Sequence, residues 1–329
     1  MKKLLTLQIA ALSLLLLISV AVACSIRPAK QDQPAMADTV PNPVETVPET
    51  TAAPTTEPEP QWMTFPASRA ITAQQYFVYD VDQDEFLKRT PEGGEKVYPA
   101  SVTKLFTASV AMEYLEAEQE VVVGDSLDMV VWGSSVAELE KGDKLTVDLL
   151  VESMLLPSGN DAAYTLAVEA GRVIANDKHL PARSAVDVFV KKMNEKAREM
   201  GMDGTRFVNP DGIHDENHYT DFEDLTILGK MALENDTIMK NAGTSRDKAV
   251  LASGEKKWEN TNALVDEKTP YFCPYAIGLK TGQTPSAGSC LLSAFRMDGK
   301  TLLIGVFGCP EEEDRFEDTL QLFNEAMGI

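Results

Sequence analysis

Histidine is scarce in this chain of 329 residues, which contains only three. His179, His214 and His218 leave little material for a Ser-His-Asp triad, and the Gly-x-Ser-x-Gly turn of many serine hydrolases does not occur. Cationic residues are also a minority, since 30 Lys and Arg stand against 51 Asp and Glu, for a net charge of −21. Phosphate backbones are bound by clustered Lys and Arg, and no basic stripe is present, so we expect no nucleic-acid partner.

Cysteine is nearly as rare, with four in the whole chain. Cys24 stands apart near the N-terminus, and the remaining three, an odd number, do not form the pattern of a disulfide framework. Cys290 and Cys309 lie in apolar, strand-like stretches. We therefore predict that these two are buried as small apolar residues.

The first 24 residues are typical of an export signal. Two lysines precede a long apolar run (4–23) that ends in small residues directly before Cys24. This cysteine resembles that of a bacterial lipobox, whose thiol is lipidated after cleavage, although Ala21 stands where that motif usually has a larger aliphatic residue. Plain secretion and an uncleaved anchor are the alternatives, because the run is also of membrane-spanning length. All three place the rest of the chain outside the cytoplasm, tethered to the outer face of the cytoplasmic membrane or secreted.

The next segment, 25–62, consists largely of Pro, Thr and Glu and has little to bury, which predicts a disordered linker. The folded domain is therefore expected at 63–329, a length that suits one large domain. Apolar periodicity predicts helices at 100–117, 145–156, 161–171, 184–201, 221–235 and 313–327. Strands are predicted within 74–90, at 275–283 and as a hairpin that turns at Asp298-Gly299. Strands at both ends with helices between them predict an α+β fold whose terminal segments share one antiparallel sheet.

Ser101 and Lys104 lie three residues apart at the start of the first predicted helix. On a helix such residues share a face, with Cβ atoms about 5–6 Å apart, so the amine reaches the hydroxyl. A lysine is a useful base only when it is neutral, which requires burial or neighbouring cations. By itself the pair is a weak signal, because solvated lysines recur at this spacing on many helices.

Two further polar segments strengthen the signal. Ser158 and Asn160 lie on a predicted tight turn between helices, although any helix–helix turn favours such residues. Lys280 and Thr281 lie late on a predicted strand, where Gly282 would let a ligand backbone approach closely. A strand that simply ends in a glycine turn is the alternative.

Ser-x-x-Lys, Ser-x-Asn and Lys-Thr-Gly in this order are the signature of serine β-lactamases and penicillin-binding proteins. With the segments PASVTK (99–104), SGNDA (158–162), FVNPDGIHDENHYT (207–220) and KTGQTPSAG (280–288), most of 63–329 resembles the low-molecular-mass penicillin-binding proteins, which are serine-type D-alanyl-D-alanine carboxypeptidases. The resemblance implies an antiparallel β-sheet flanked by helices with a mainly helical lobe. It implies neither a cofactor nor a metal.

The resemblance also implies a role for each motif residue. Ser101 would attack the penultimate D-Ala and form an acyl-enzyme, with Lys104 as its base. Ser158 would relay a proton to the departing D-Ala, and Asn160 would hold Lys104 and the substrate amide. Lys280 would attract an anionic substrate and help keep Lys104 neutral.

The backbone N–H groups of Ser101 and Gln283 would form the oxyanion hole. Gln283 stands where some relatives have His, so the resemblance carries over only the role of its backbone N–H. Lys280 and Thr281 are candidates to bind the substrate carboxylate, and so is Arg315 at the head of the last helix. The alternative for Arg315 is a surface residue paired with one of the neighbouring glutamates (311–313).

The implied partners are a peptidoglycan stem peptide ending in D-Ala-D-Ala, β-lactams as inhibitors, and the membrane through the N-terminus. The family often has a β-rich second domain and an amphipathic C-terminal anchor, for which we see no room before Ile329. Attachment through the N-terminus would replace that anchor.

Three alternatives are weighed against this function. A β-lactamase would use the same motifs, but no Glu-x-x-Leu-Asn-like element lies between Asn160 and Lys280. A non-catalytic wall-binding or sensor lipoprotein would keep the fold alone. A zinc peptidase is suggested by His214 and His218, four residues apart, but their segment is rich in turn formers and is not expected to be helical.

Overall fold

The structure, a computed structural model, describes residues 70–90 and 96–329. The predicted export signal (1–24, with Cys24) and the predicted linker (25–62) lie outside the described residues. Within the described part, no helix has both the length and the apolar character needed to cross a membrane.

Strands from both ends of the described chain form one antiparallel sheet. The strands are β1 (Gln75–Asp80), β2 (Glu85–Arg89), β7 (Ala276–Thr284), β8 (Gly288–Met297) and β9 (Lys300–Cys309). Their order across the sheet is β2-β1-β9-β8-β7, so the first strand of the described chain pairs with the last. The prediction that the terminal segments share a sheet is confirmed.

The β8–β9 connection is the two-residue turn that its sequence predicts. Asp298 and Gly299 both have positive φ angles, 52° and 79°. This is the conformation that suits a two-residue hairpin, and a glycine adopts it without steric cost. Two small antiparallel hairpins lie outside the main sheet: β3 (Glu120–Val122) with β4 (Lys144–Thr146), and β5 (Arg246–Leu251) with β6 (Gly254–Glu259).

The helices lie between these strands in sequence and also close the chain. They are α1 (Thr103–Met112), α2 (Val147–Leu155), α3 (Asn160–Ala175), α4 (Ala182–Glu199), α5 (Phe222–Leu233), α6 (Asp236–Gly243) and α7 (Asp314–Met327). Side-chain caps set two of the starts. Thr146 Oγ1 accepts a hydrogen bond from Leu149 N before α2, and Asp221 accepts one from Asp224 N before α5.

The sheet separates two apolar cores because side chains alternate along each strand. In β1, Phe77 packs into the larger core with the helical lobe, whereas Val78 packs into the smaller core on the opposite face. Helix α7 covers that second face, where Phe323 stacks on Phe295 with ring centroids 4.4 Å apart. The sheet is thus covered by helices on both faces.

The cysteines of the described part are free and buried, including Cys290 and Cys309. Cys290 belongs to the larger core and Cys309 to the smaller one. Burial raises the pKa of both thiols. Their predicted role as small apolar residues is confirmed.

Two predicted helices differ from the structure by more than two residues at an end. The segment predicted as one helix at 100–117 begins with a 3₁₀ turn (Ala100–Val102) and ends as α1 at Met112. The helix predicted to stop at Gly171 continues to Ala175 and is capped by Asn176, whose φ is 52°. Gly171, which predicts a helix end from the sequence, therefore lies inside the helix. Close packing against Ala185 requires a glycine there.

Candidate active site

The nucleophile candidate lies on the 3₁₀ turn that leads into α1. Ala100, directly before Ser101, has a φ of 46°, a left-handed conformation that is uncommon for a residue with a Cβ. The neighbouring segment holds it there: a Cβ on Gly212 would come within 1.9 Å of the Ala100 carbonyl oxygen. Only glycine allows this close approach, so Gly212 helps to place Ser101.

Lys104 lies one turn further along, in the first turn of α1, and its side chain is fully buried. Its Nζ donates hydrogen bonds to Ser101 Oγ at 2.8 Å and to the carbonyl oxygen of Asp211 at 2.6 Å. The pair that the sequence spacing suggested therefore forms. The bond to Asp211 fixes the direction of the amine.

Burial lowers the pKa of Lys104 to about 8, while the negative charges of Asp211 and Asp161 oppose that change. The Asp211 carboxyl group is itself buried, which raises its pKa, and its Oδ2 has no hydrogen-bond partner. An amine with this pKa is partly neutral near neutral pH. Lys104 can therefore accept a proton.

The predicted Ser158–Asn160 turn joins α2 to α3 and lies against the loop 131–139. Ser158 has a left-handed φ of 63°. Ser135 contacts both ends of the turn: its Oγ donates to the Ser158 carbonyl oxygen at 2.8 Å, and its own carbonyl oxygen accepts from Asn160 N at 2.9 Å. Between them, a Cβ on Gly159 would lie 2.6 Å from the carbonyl oxygen of Ser153.

The Asn160 side chain is buried, and its Oδ1 has no hydrogen-bond partner. The prediction that Asn160 holds Lys104 is therefore wrong: the amine bonds to Ser101 and Asp211 instead. The residue after it, Asp161, accepts hydrogen bonds from the backbone N–H groups of Ala137, Leu139 and Ala162 at 2.8–3.0 Å. These bonds hold the loop 131–139 against α3. The turn therefore presents an amide acceptor with free capacity from a fixed frame.

Strand β7 brings the third motif to the nucleophile. A Cβ on Gly282 would lie 2.9 Å from the carbonyl oxygen of Pro99 and 3.1 Å from the backbone nitrogen of Ser101. Because Gly282 lies inside β7, the alternative of a strand that ends in a glycine turn is wrong. β7 is also an edge strand of the main sheet, so one of its edges is free of sheet pairing.

Lys280 is buried, and its Nζ donates to Thr261 Oγ1 at 3.2 Å and to Thr281, at 3.2 Å to the carbonyl oxygen and 3.3 Å to Oγ1. Burial holds the pKa of Lys280 well below its usual range, and the charges of Lys104 and Arg315 lower it further. The low pKa of Lys104 itself is caused by burial, and Lys280 does not contribute to it, contrary to what the resemblance implies.

Arg315 is buried as well, at 6% exposure, so it is not the surface residue of the alternative prediction. It does keep an ion pair with Glu312, at 3.7 Å. Its Nε is buried without a hydrogen-bond partner, and burial lowers its pKa. This guanidinium group thus has an unused donor, and Arg315 lies at the wall of the cavity described next.

A cavity of about 910 Å³ joins these segments. The predicted site residues on its wall are Ser101, Ser158, Asn160, Thr281, Gly282, Gln283 and Arg315. Lys104 and Lys280 are hydrogen-bonded to two of them, Ser101 and Thr281. Residues predicted from three separate motifs thus meet at one site.

His218, one of the residues behind the zinc alternative, is fully engaged by the protein. Its Nδ1 accepts from Val208 N at 3.2 Å, so its Nε2 donates to Thr103 Oγ1 at 2.8 Å. Burial lowers its pKa to about 4, which keeps the ring neutral. The segment 207–220 is not helical, and the described residues contain no group of three or more His, Cys, Asp or Glu able to hold a metal.

The structure adds three residues that the sequence did not single out: Asp211, Ser135 and Thr261. Asp211 and Ser135 act partly through backbone atoms, which any residue type could provide. Thr261 bonds to Lys280 and to Thr281 Oγ1, the latter at 2.5 Å, across 20 residues of sequence. Only the segment NPDG (209–212) carried a signal, since its turn formers indicate a fixed backbone.

Comparisons with known proteins point in one direction. The family model of D-alanyl-D-alanine carboxypeptidases, peptidase S11, matches residues 61–311. The chain is 32% identical over 237 residues to the D-alanyl-D-alanine carboxypeptidase DacF of Bacillus subtilis, an alignment that spans 71% of this chain but only 57% of that protein. It is 33% identical over 239 residues to a D-alanyl-D-alanine carboxypeptidase of a Streptomyces species, spanning 70% of this chain and 78% of the relative.

Solved structures agree. The crystal structure of a Streptomyces DD-transpeptidase superposes with a TM-score of 0.71 at 29% identity, covering 79% of this chain and 99% of that one. A D-alanyl-D-alanine carboxypeptidase from Mycobacterium tuberculosis superposes with a TM-score of 0.67 at 25% identity, covering 79% and 93%.

Proposed function

This chain belongs to the peptidase S11 family of D-alanyl-D-alanine carboxypeptidases, and on that premise we propose that it removes the terminal D-Ala from peptidoglycan stem peptides. The observation that carries the proposal is the 2.8 Å contact between Ser101 Oγ and the buried Lys104 Nζ at a cavity wall. The names of the relatives support the substrate class, since two of them are D-alanyl-D-alanine carboxypeptidases.

In the proposed acylation, Ser101 Oγ attacks the carbonyl carbon of the penultimate D-Ala while Lys104 Nζ takes the hydroxyl proton. The backbone N–H groups of Ser101 and Gln283 stabilise the oxyanion. The C–N bond then breaks, and the departing amine receives a proton through Ser158. The products of this half-reaction are free D-Ala and an ester on Ser101.

In the proposed deacylation, water attacks the ester carbonyl while Lys104 accepts the proton of the water. The ester bond breaks, Ser101 regains its proton, and the shortened peptide leaves with a new carboxylate. Asn160 Oδ1, buried without a partner, is free to accept from the substrate amide. Arg315, with its unpaired Nε, is the proposed anchor for the terminal carboxylate, together with Lys280 and Thr281.

The direct test is release of free D-Ala from a synthetic peptide that ends in D-Ala-D-Ala. We expect Ser101→Ala to lower kcat/KM at least about 10³-fold, because the nucleophile is lost. Ser286→Ala is the matched control, since Ser286 is exposed and lies just beyond the Lys-Thr-Gly segment. Equal D-Ala release by wild type and Ser101→Ala would contradict the proposal.

β-Lactams mimic the scissile peptide of this substrate, so we propose that they acylate Ser101. Mass spectrometry after incubation with penicillin should show one adduct on Ser101 that persists, because the chain lacks the Glu-x-x-Leu-Asn-like element of fast-deacylating β-lactamases. No adduct would favour the non-catalytic wall-binding alternative. Fast hydrolysis of nitrocefin would favour the β-lactamase alternative.

We propose further that the chain is exported and held at the outer face of the cytoplasmic membrane through a lipid on Cys24. The apolar run 4–23, the cysteine that follows it and the Pro/Thr/Glu-rich segment 25–62 support this arrangement. Labelled fatty acid should be incorporated by the wild type and not by Cys24→Ala. Equal labelling of the two would contradict lipidation at this site.

A further inference from the structure

The short segment 131–136, here called the rim turn, exposes an unusual amount of apolar surface at the mouth of the cavity. Trp132 is 98% exposed, and Val131 and Val136 are 48% and 41% exposed. In the described part of the chain, these are three of only eight large apolar side chains with such exposure. Val131 and Trp132 line the same cavity as Ser101.

The rim turn is a structured element. Ser134 donates twice to the Val131 carbonyl oxygen, from N at 3.2 Å and from Oγ at 2.7 Å, and Gly133 supplies a left-handed φ of 81° between them. Its C-terminal end is fixed by Trp258, whose Nε1 donates to the Ala137 carbonyl oxygen at 3.0 Å. The indole of Trp132 is therefore presented to solvent from a fixed turn.

The rim turn is also hydrogen-bonded to the Ser158–Asn160 turn. Ser135 bonds to both Ser158 and Asn160, at 2.8 and 2.9 Å. A ligand with its reacting carbonyl at Ser101 and its amide near Asn160 would therefore lie close to Trp132. An aromatic side chain this exposed gives up the favourable free energy of burying its apolar surface unless a ligand covers it.

The proposed substrate has one part that suits this surface. Its terminal D-Ala ends in a carboxylate, which an indole cannot solvate and for which Arg315 is available. The penultimate D-Ala carries only a methyl group. The residue before D-Ala-D-Ala is thus the first with a side chain long enough to cover an indole, and the cavity of about 910 Å³ is far larger than two alanine residues require.

The surface also favours a cation at the end of that side chain. The face of an indole attracts an ammonium group, and Trp is the strongest such partner among the aromatic residues. Another exposed residue of the loop 131–139, Glu138, is acidic, whereas the next acidic residue, Glu140, already pairs with Lys256 at 3.5 Å. An aliphatic stem that packs on the indole and ends in an amine matches both features.

Resting on the proposed function, we infer that Trp132 is a specificity-determining residue that packs against the side chain preceding D-Ala-D-Ala and favours a long aliphatic side chain with a terminal amine.

The test compares two peptides, acetyl-L-Lys-D-Ala-D-Ala and acetyl-Gly-D-Ala-D-Ala, by D-Ala release from the full chain. Wild type should prefer the lysine peptide, and Trp132→Ala should lower the ratio of the two kcat/KM values about 3- to 10-fold. Trp132→Phe should keep part of the preference. Val250→Ala is the control, because Val250 is an 81% exposed apolar residue on β5 that does not line the cavity.

Acetylating the lysine amine of the peptide should lower kcat/KM more for the wild type than for Trp132→Ala, because only the wild type has the indole that attracts the charge. If Trp132→Ala lowers kcat/KM by the same factor on both peptides, their ratio stays unchanged. That outcome would overturn this inference alone while leaving the proposed function intact. Failure of the wild type to release D-Ala from either peptide would overturn the proposed function and this inference with it.

Discussion

At the scale of single residues, the chemistry of the site depends on where one amine is buried. Lys104 is fully buried, and that burial brings its pKa to about 8. The same lysine on a solvated helix face would be protonated at neutral pH and would not accept the Ser101 proton. In the proposed mechanism, Ser101 is therefore a nucleophile because of the packing around its neighbour.

Lys104→Arg tests the base directly, because arginine keeps the positive charge but stays protonated near pH 7. We expect the rate of penicillin acylation to fall about 10²–10⁴-fold, the usual contribution of a general base. Lys104→Met, which is close in length and neutral, should lose acylation as well. Circular dichroism and thermal unfolding check that both variants fold, and undiminished acylation in Lys104→Arg would refute the base role.

Asp211 gives a pH prediction whose sign follows from its charge. In the proposed mechanism the neutral amine of Lys104 is the active form, so acylation should rise with pH and level off above about pH 8. The Asp211 carboxylate raises the pKa of Lys104, so Asp211→Asn should lower it and move the rise toward lower pH, by up to about one unit.

The measurement is the pH dependence of the second-order rate of penicillin acylation. Asp215→Asn serves as control, because Asp215 lies in the same segment but is exposed. An unchanged rate and an unchanged pH profile would indicate that Asp211 acts on Lys104 only through its backbone carbonyl.

The motif residues could be predicted from sequence because their chemistry lies in their side chains. They occur at recognisable spacings: Ser-x-x-Lys at 101–104, Ser-x-Asn at 158–160 and Lys-Thr-Gly at 280–282. Asp211 could not be predicted in this way, because its bond to Lys104 comes from a carbonyl oxygen 107 residues away in sequence. The burial of Arg315 was equally hidden, since a run of exposed glutamates (311–313) lies shortly before it.

At the scale of elements, Gly171 shows how one residue can carry two meanings. Glycine after a periodic apolar run predicts a helix end. In the structure the residue lies in mid-helix, where a Cβ would come within 2.0 Å of the Ala185 carbonyl oxygen on α4. The close contact of α3 and α4 depends on a tertiary neighbour that the local pattern does not contain.

Gly171→Ala should therefore destabilise the protein, although alanine favours helix locally by about 1 kcal/mol. We expect a loss of about 2 kcal/mol in the free energy of unfolding, measured with urea, because a backbone carbonyl cannot move aside. Gly229→Ala in α5 is the matched control. Its Cβ would meet the side-chain methyl groups of Leu303, which can shift, so its loss should be smaller. An equal loss in the two variants would argue against the close packing of α3 on α4.

The sequence pattern also did not reveal the shortest strands, β3 and β4. β3 and β4 have three residues each, with one buried residue between two exposed ones, too short a run to show alternation. The longer strands β8 and β9, with ten residues each, were predicted together with their turn. Length alone does not decide the outcome, because β5 and β6, with six residues each of which only two are buried, were missed as well.

At the scale of the whole molecule, the sheet unites the two ends of the described chain and divides the interior into two cores. This topology follows from strands at both ends of the predicted domain with helices between them, as the sequence indicated. Asp318 adds a link that no pattern predicts: its carboxylate on α7 accepts from the backbone N–H groups of Thr72 and Ala73 at 2.9 and 2.8 Å. The last helix thereby holds the segment that leads into β1.

The stability of the whole molecule should depend on a carboxyl group outside the catalytic cavity. Glu152 on α2 is buried, and burial together with the negative charges of Asp247 and Asp148 raises its pKa to about 7, against the opposing charge of Lys240. In the unfolded chain the same group has a pKa near 4.5. The folded state therefore holds more protons between these pH values, so its stability should fall as pH rises from about 4.5 to 7, by about 3 kcal/mol in total.

Glu152→Gln removes this titration because the amide stays neutral at every pH. The variant should match the wild type near pH 5 and be more stable at pH 8, by about 1–3 kcal/mol, in urea unfolding experiments. The difference between the two proteins cancels the other titrating groups, and Glu116→Gln, at an exposed site, controls for the loss of one negative charge. A constant difference between wild type and Glu152→Gln from pH 5 to pH 8 would show that Glu152 is ionised in the folded protein throughout, contrary to what its burial predicts.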